Sequence, residues 1–419
     1  MNTFKLALRG LTRNRRRSVV TLLAIALGFA AISLFAGYTH NVYSGMGRGA
    51  IHGSLLGHLT LAKRGMSTAG KLDPERYMLS GAEVARITQL LADEPKIKLV
   101  APRLSISGLI SNGRASTIFI AEGIAPQAMA KLQENVLSAE ELRSGLYAKM
   151  IKKLDPAKPE HMLVSSGLGE MLHLKTGDTA ALLTNTLSGQ ANALDGSVGG
   201  LFNTGNAGLN DKFAYLSLQL AQTLYDLPGG ADRLTVLLQD DNQTEAMRTH
   251  LQDKLRRAGF DLEIRTWQEL SDFYNQVHGM FDMIFGFIFS IVLTVVVMSV
   301  ANSMGMTVVE RTREIGTLRA IGLPQRGVVR LFALESLLLT LIGCGVGLLI
   351  TLLVRYGINW AHISYTPPNS DSPVPLLVDM DVARIGFTAL MMLAVGTLAA
   401  YLPARRAAKQ PIIDALGHV

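Results

Sequence analysis

GMSTAGKL, residues 65 to 72, has the Gly-x4-Gly-Lys spacing with which a loop cradles phosphate oxygens. Its last position argues against that chemistry, because Leu72 stands where a Ser or Thr hydroxyl would hold magnesium. LSGQ, Leu187 to Gln190, lacks one Gly of an ATP-signature loop. Both stretches are expected to be turns. Between residues 39 and 278, histidines stand at 40, 52, 58, 161, 173, 250 and 278, none in HExxH spacing, and no Cys accompanies them. A hydrolytic or metal centre is therefore not supported. The single Cys344 lies inside an apolar run and is expected to be a small packing residue. No catalytic residue, metal ligand or bound cofactor is expected of this chain.

The other chemically dense stretch is ERTREIGTLRAIGLPQRGVVRLF, residues 310 to 332. Its Glu and Arg residues alternate with Ile315, Leu318 and Ile321 at helical spacing, and Gly322-Leu323-Pro324 ends that helix before another begins. The pattern fits a helix that docks a partner and equally one that anchors in lipid headgroups.

What positions this stretch is a set of long apolar segments. Ser18–Gly47, Met283–Val309, Ser336–Val354 and Ile385–Ala404 contain no Lys, Arg, Asp or Glu. Each reaches the ~18 to 20 residues that cross a bilayer core as a helix. They account for an apolar content of 48% and a mean hydropathy of +0.27. Transmembrane helices are expected at 18–38, 281–307, 333–354 and 385–404. The first run exceeds the ~7 to 15 residues of a signal-peptide core and reads as an uncleaved anchor.

Basic residues orient these helices. The leader, 1–17, holds Lys5, Arg9, Arg13, Arg15, Arg16 and Arg17 without an acid, the 308–332 segment holds five Arg against two Glu, and the tail, 405–419, holds Arg405, Arg406 and Lys409 against Asp414. These segments belong in the cytoplasm, with both termini. The loop 355–384 has two Arg and three Asp, and the region 39–278 has 24 basic and 25 acidic residues, so both belong outside. The net charge of +7 is a topology signature, and a nucleic-acid partner is excluded. The expected fold is an α-helical membrane protein with four transmembrane helices plus a large mixed α/β extracytoplasmic domain, 39–278.

Within that domain HLTLAKR (58–64) alternates like a strand, and Ser80 and Glu83 stand in capping-box spacing ahead of a helix burying Val84, Ile87, Leu90 and Leu91. Asn112-Gly113 marks a hairpin. MLVSSGLGEMLHLKTGDTAALLT reads as strand, short helix, turn and strand, and TEAMRTHLQDKLRRAG as a polar-faced helix. From Trp267 one helix is expected to run into the membrane. Residues 184–210 are either a mobile loop or glycine-punctuated strands. Gly343 and Gly347, one turn apart, permit close helix packing, either within the chain or at a dimer seam, and Ser33 and Gly37 offer a competing seam. Ionisable groups stand only near the ends of the membrane segments, chiefly Asp282 and Glu335.

ERTREIGTLRAIG resembles the hallmark of the FtsX/MacB family of ABC transporter permeases, the type VII or mechanotransmission class. The tail YLPARRAAKQPIIDAL is similar to the family's closing pattern and LALRGLTRNRRRSVVTLLAIALG to its opening, so the likeness covers roughly 1–50 and 280–419. GHLTLAKRG, VSSGLGEMLHLKTGD and TWQEL resemble the lipoprotein-releasing permeases, with VGGLFNTG (198–205) in place of a family strand. The resemblance implies a permease subunit in a bacterial inner membrane. It also implies two copies of a separate cytoplasmic ABC ATPase that binds ATP and magnesium, a second permease copy or paralogue, membrane lipid, and a periplasmic carrier or adaptor. Glu310, Arg311, Arg313, Glu314, Ile315, Leu318, Arg319 and Gly322 then match the segment that couples to the ATPase. Lipoprotein, lipid or another envelope substrate is the expected cargo. The alternatives are an FtsX-type signalling subunit that regulates an exported cell-wall hydrolase and a macrolide or peptide efflux permease.

Overall fold

A computed structural model describes residues 15–70, 72–135, 154–204, 208–366 and 374–416. The basic leader before Arg15, and Lys71 of GMSTAGKL, lie outside the described residues. The chain divides into two compact units, one made of Met1–Tyr43, Val277–Tyr365 and Pro375–Val419, the other of Ser44–Gln276 and Thr366–Val374.

Helix α1, Arg15–Arg48, contains the first charge-free run, and a π-helical turn, Gly49–Gly53, follows it. The α/β unit then builds one mixed sheet from β1 (Leu59–Lys63), β2 (Ile97–Ser111), β3 (Ser116–Ile124), β4 (His161–Ser165), β5 (Thr179–Asn185), β6 (Ala191–Phe202), β7 (Phe213–Ser217), β8 (Arg233–Leu238) and β9 (Leu262–Thr266). Its order is β3-β7-β4-β6-β5-β2-β8-β1-β9, and β3 also pairs with β2. That extra pairing closes β2, β3, β7, β4, β6 and β5 into a ring. β2 makes this possible through its length of 15 residues. Its first half, Ile97 to Arg103, pairs with β8, and its second, Arg103 to Ser111, with β3.

Alternation along these strands sends Leu104, Ile106, Phe119, Met162, Leu182 and Leu216 into the ring. Each such burial is worth about 1.5–3 kcal/mol. A second core fills the open part of the sheet. Helix α2, Gly81–Ala92, starts at the Ser80/Glu83 capping box, in which the Ser80 N–H donates to Glu83 Oε2 at 2.8 Å and the Glu83 N–H donates to Ser80 Oγ at 3.3 Å. It buries Val84, Ile87 and Leu91 beside β1 and β8 residues. Helix α3, Leu218–Tyr225, lays Leu220, Ala221 and Leu224 into the ring's core, and helix α4, Thr244–Arg257, buries Met247, Leu251 and Leu255 in the second.

Of the ambiguous 184–210 stretch, residues 205–207 lie outside the described residues and 191–202 form strand β6, with LSGQ as the β5–β6 turn, where the Thr186 N–H donates to the Gln190 carbonyl at 2.8 Å. The described residues of GMSTAGKL, 65–70 and Leu72, are turns, with Gly65 at φ +92°. One expectation is corrected: no single helix runs on from Trp267. Trp267–Leu270 forms its own short helix, capped by Thr266 and Glu269, and Ser271 leaves helical geometry at φ −108°, ψ 81° before the next helix starts.

That next helix, α5, spans Asp272–Glu310, followed by α6 (Thr312–Ala320), α7 (Gln325–Ala361), α8 (Val382–Lys409) and the short α9 (Ile412–Leu416). Helices α1, α5, α7 and α8 are long and apolar enough to cross a membrane. Small residues set their closest contacts. Ser336 Oγ of α7 donates to the Gly396 carbonyl of α8 at 2.8 Å, and a methyl on Gly396 would lie 2.6 Å from Thr340 Oγ1. A methyl on Gly347 would lie 2.6 Å from the Ala26 carbonyl oxygen, and one on Gly343 2.7 Å from Ile25 Cγ2. The Gly343/Gly347 pair therefore packs on α1 of the same chain. Ser33 is buried, and Gly37 lies against Val378 and Asp379, whose N–H donates to the Gly37 carbonyl at 3.1 Å.

Candidate ATPase-coupling segment

The elbow between α5 and α7 is built from local hydrogen bonds. Helix α5 ends where Arg311 departs from helical geometry, and the Thr312 hydroxyl donates to the Val308 and Val309 carbonyls at 3.0 and 2.9 Å. Helix α6 ends in a Schellman motif: the Gly322 N–H donates to the Arg319 carbonyl and the Leu323 N–H to the Leu318 carbonyl, both at 3.0 Å. Gly322 takes φ +104°, which a side chain would strain. Pro324 then starts α7.

The sequence groups Glu310 to Gly322 as one site, and the structure splits them by direction. Ile315 is buried among Val308, Val328, Phe332 and Ala404, and Gly316 is buried beside it in sequence. Arg311 also turns inward. Its guanidinium donates to both Glu314 oxygens at 3.0 and 3.2 Å and to Glu335 Oε2 of α7 at 3.1 Å, and it lies over the Phe332 ring at 5.6 Å. Burial works against its charge, and the Glu314 and Glu335 carboxylates outweigh that, holding its pKa above the ordinary arginine value. Leu318 is half-buried, and Arg319 donates to the Gln410 carbonyl beside α9. Glu310 pairs with Arg17 of α1 at 3.1 Å.

What remains outward is a narrow face. Arg313, Thr317, Ala320, Ile321 and Gly322 are exposed, Ile321 by 80%. Sequence reasoning put Ile321 on the apolar side of the helix and missed the Arg311–Glu335 pair, whose members stand 24 positions apart. It also missed the packing of α9 on α6, which brings the tail to the elbow. The arrangement holds no nucleophile or acid–base pair. It is a braced joint with an exposed tip.

Two family models match the chain: "MacB-like periplasmic core domain" over residues 18–254 and "FtsX-like permease C-terminal" over residues 286–412. The first alone spans more than half of the sequence. The chain belongs to the FtsX/MacB family of ABC transporter permeases. It is 26% identical over 211 residues to an uncharacterized ABC transporter permease of Methanocaldococcus jannaschii, covering 49% of this chain and 51% of that one. The macrolide export ATP-binding/permease protein MacB of Bartonella quintana is 24% identical over 99% of this chain and 59% of its own length. The lipoprotein-releasing system transmembrane protein LolC of Neisseria meningitidis serogroup B is 24% identical over 76% of this chain and 78% of its own. The chain spans from a quarter to about three-fifths of the length of the first curated relatives it matches. Family membership and the four apolar helices make this a membrane-embedded permease-family protein.

Proposed function

We propose that the chain is the permease subunit of an ABC transporter, inserted in the bacterial inner membrane with both termini cytoplasmic. It takes the motion of a separate cytoplasmic ATPase, which binds ATP and magnesium, and delivers it to the exported domain. The observation that carries this reading is the braced elbow. A helix clamped to α7 by Arg311 and Glu335, with Ile321 and Arg313 left outward, moves as a body with the membrane helices when its tip is pushed.

The substrate is a lipid-anchored or otherwise envelope-located molecule taken up from the outer leaflet or periplasm. Support comes from the charge-free middles of all four membrane segments, since a polar conduit commonly carries ionisable groups facing a cavity. The test uses outward residues alone, because replacing Arg311 would confuse docking with folding. Ile321→Asp with Arg313→Glu is expected to abolish co-purification of the ATPase while membrane insertion stays normal. Undiminished co-purification and ATPase stimulation would overturn the docking reading.

A further inference from the structure

With the orientation proposed above, the cations at the two ends of the membrane helices are treated differently. At the outer end the chain itself holds them. Arg355 Nε donates to the Val378 carbonyl at 2.8 Å, and Arg384 meets both the Asp381 carboxylate and the Thr39 hydroxyl at 3.2 Å. At the cytoplasmic end Arg326 and Arg330 of α7 and Arg405 and Lys409 of α8 are exposed. The acids beside them are taken, Glu310 by Arg17 and both Glu314 and Glu335 by Arg311. Among the described residues no carboxylate pairs with any of the four cations.

The Ser336–Gly396 hydrogen bond between α7 and α8 fixes how deep these residues lie. Gly396 is at the middle of α8, fourteen residues from Val382 and thirteen from Lys409. Arg326 stands ten residues before Ser336 and Arg405 nine after Gly396, so along helices that rise ~1.5 Å per residue they lie about 15 and 14 Å on the cytoplasmic side of that contact. Half of a ~30 Å hydrocarbon layer is the same distance, which brings both residues to the level of the lipid phosphates. Arg330, about 9 Å from the contact, reaches that level by extending its side chain. Apolar stripes lead up to the cations. Leu341 stands eleven residues after Arg330 and Leu398 seven before Arg405, three and two helical turns that return to the same side, and both leucines are exposed. Orientation calls for positive charge at this end, and Lys409 also suits the last turn of α8. Neither reason calls for two arginines at matched depth on packed helices, and Arg326 stands in the first turn of α7, where the helix dipole opposes a cation.

We propose that Arg326 and Arg405, with Arg330 and Lys409 beside them, hold the headgroup of an anionic phospholipid of the cytoplasmic leaflet, whose acyl chains lie along the exposed sides of α7 and α8. A phosphodiester accepts the forked N–H donors of guanidinium groups, and the bilayer presents it at that depth. The inference rests on the proposed orientation and is independent of how the ATPase docks.

Lys409→Cys in a Cys344→Ala background tests that orientation separately. A membrane-impermeant maleimide is expected to label it in inside-out vesicles and not in spheroplasts; labelling from the outside would overturn the cytoplasmic placement. The full-length protein in neutral detergent is then titrated with phosphatidylglycerol or phosphatidylcholine, and retained lipid is counted by native mass spectrometry. Phosphatidylglycerol is expected to stay bound and phosphatidylcholine to leave. Arg326→Gln with Arg405→Gln should weaken retention on the order of 30-fold. Arg326→Lys with Arg405→Lys should keep most of it, and Arg16→Gln with Arg406→Gln, an equal loss of charge, should leave it unchanged. An equal loss in that charge-matched control would overturn the site in favour of general attraction. Displacement of the lipid by glycerol phosphate would replace it with a site for free phosphate. If the glutamine pair keeps its phosphatidylglycerol and loses the ATPase on co-purification, the cations serve the ATPase and the lipid site is wrong.

Discussion

Each unit of the molecule buries an arginine, and the two are held in opposite ways. Arg311, in the elbow, is one cation between the carboxylates of Glu314 and Glu335. Arg103, fully buried on β2 where pairing passes from β8 to β3, contacts the Leu55 carbonyl and the Glu122 carboxylate. It shares Glu122 with Arg233, which is 2.6 Å from it and also 2.6 Å from Asp232. The acids outnumber the cation in the elbow and only balance the cations in the exported domain. Burial, and then the neighbouring Arg233, push the Arg103 pKa down to about 9, whereas the Arg311 pKa rises. What decides the worth of a buried charge is what its removal strands. Loss of Arg311 leaves buried Glu335 without its cation; loss of Arg103 leaves Glu122 with Arg233.

The largest expected effect follows from that asymmetry. Arg311→Ala should cost about 3–5 kcal/mol, because an uncompensated buried carboxylate remains. Thermal unfolding of the detergent-solubilised protein would show the loss, and adding Glu335→Gln should recover much of it. If the double variant is as unstable as the single one, the clamp is not what holds the elbow.

Next in size is a change that touches packing without charge. Gly347→Leu puts a side chain where the α1 backbone already stands 2.6 Å from a methyl, and overpacking of this kind costs about 1–3 kcal/mol. Gly305→Leu on α5, where an added methyl would meet nothing within 4 Å, should leave the unfolding temperature unchanged. Equal losses at both glycines would show that the packing reading of Gly347 is mistaken.

These two regions also show what a sequence makes legible. Runs without charge, the Ser80/Glu83 capping box and the Asn112-Gly113 turn were readable because each signal lies within a few residues of what it specifies. The four membrane helices, α2, the β2–β3 hairpin and the mixed α/β character follow from such signals. Arg311 was grouped with the docking residues because the carboxylate that turns it inward comes from another helix. For the same reason Gly343 and Gly347 announced close packing without naming α1 as the partner. Closure of the strand ring depends on β3 meeting both β2 and β7, a pairing between segments about 90 residues apart that alternation along each strand cannot encode. The break at Ser271 was missed because the Thr266/Glu269 box, itself a local signal, was not read as starting a separate helix.

Arg103→Met is the milder counterpart of the elbow substitution. Its volume is similar, Arg233 stays with Glu122, and removal of a fully buried cation offsets the lost contacts, so the change in stability should stay within about 1 kcal/mol of zero. A loss as large as that of Arg311→Ala would break the comparison between the two joints.

The smallest expected effect is the pH dependence of the same joint. Burial lowers the folded-state pKa of Arg103 to about 9, whereas in the unfolded chain the guanidinium keeps its proton to the much higher ordinary arginine value. Between those values the unfolded state holds more protons, so this group makes stability rise with pH. Below about pH 9 both states are protonated and the group contributes no slope. Tyrosines and lysines titrate in the same range, so the informative quantity is wild type minus Arg103→Met. That difference should be flat from pH 6 to 8 and should move in favour of wild type as pH passes 9 toward 11, followed by hydrogen exchange of the β2 and β8 amides. A difference that stays flat to pH 11 would mean that the shared Glu122 and Asp232 hold Arg103 as firmly charged as Arg311, and the contrast between the two joints would reduce to what each removal strands.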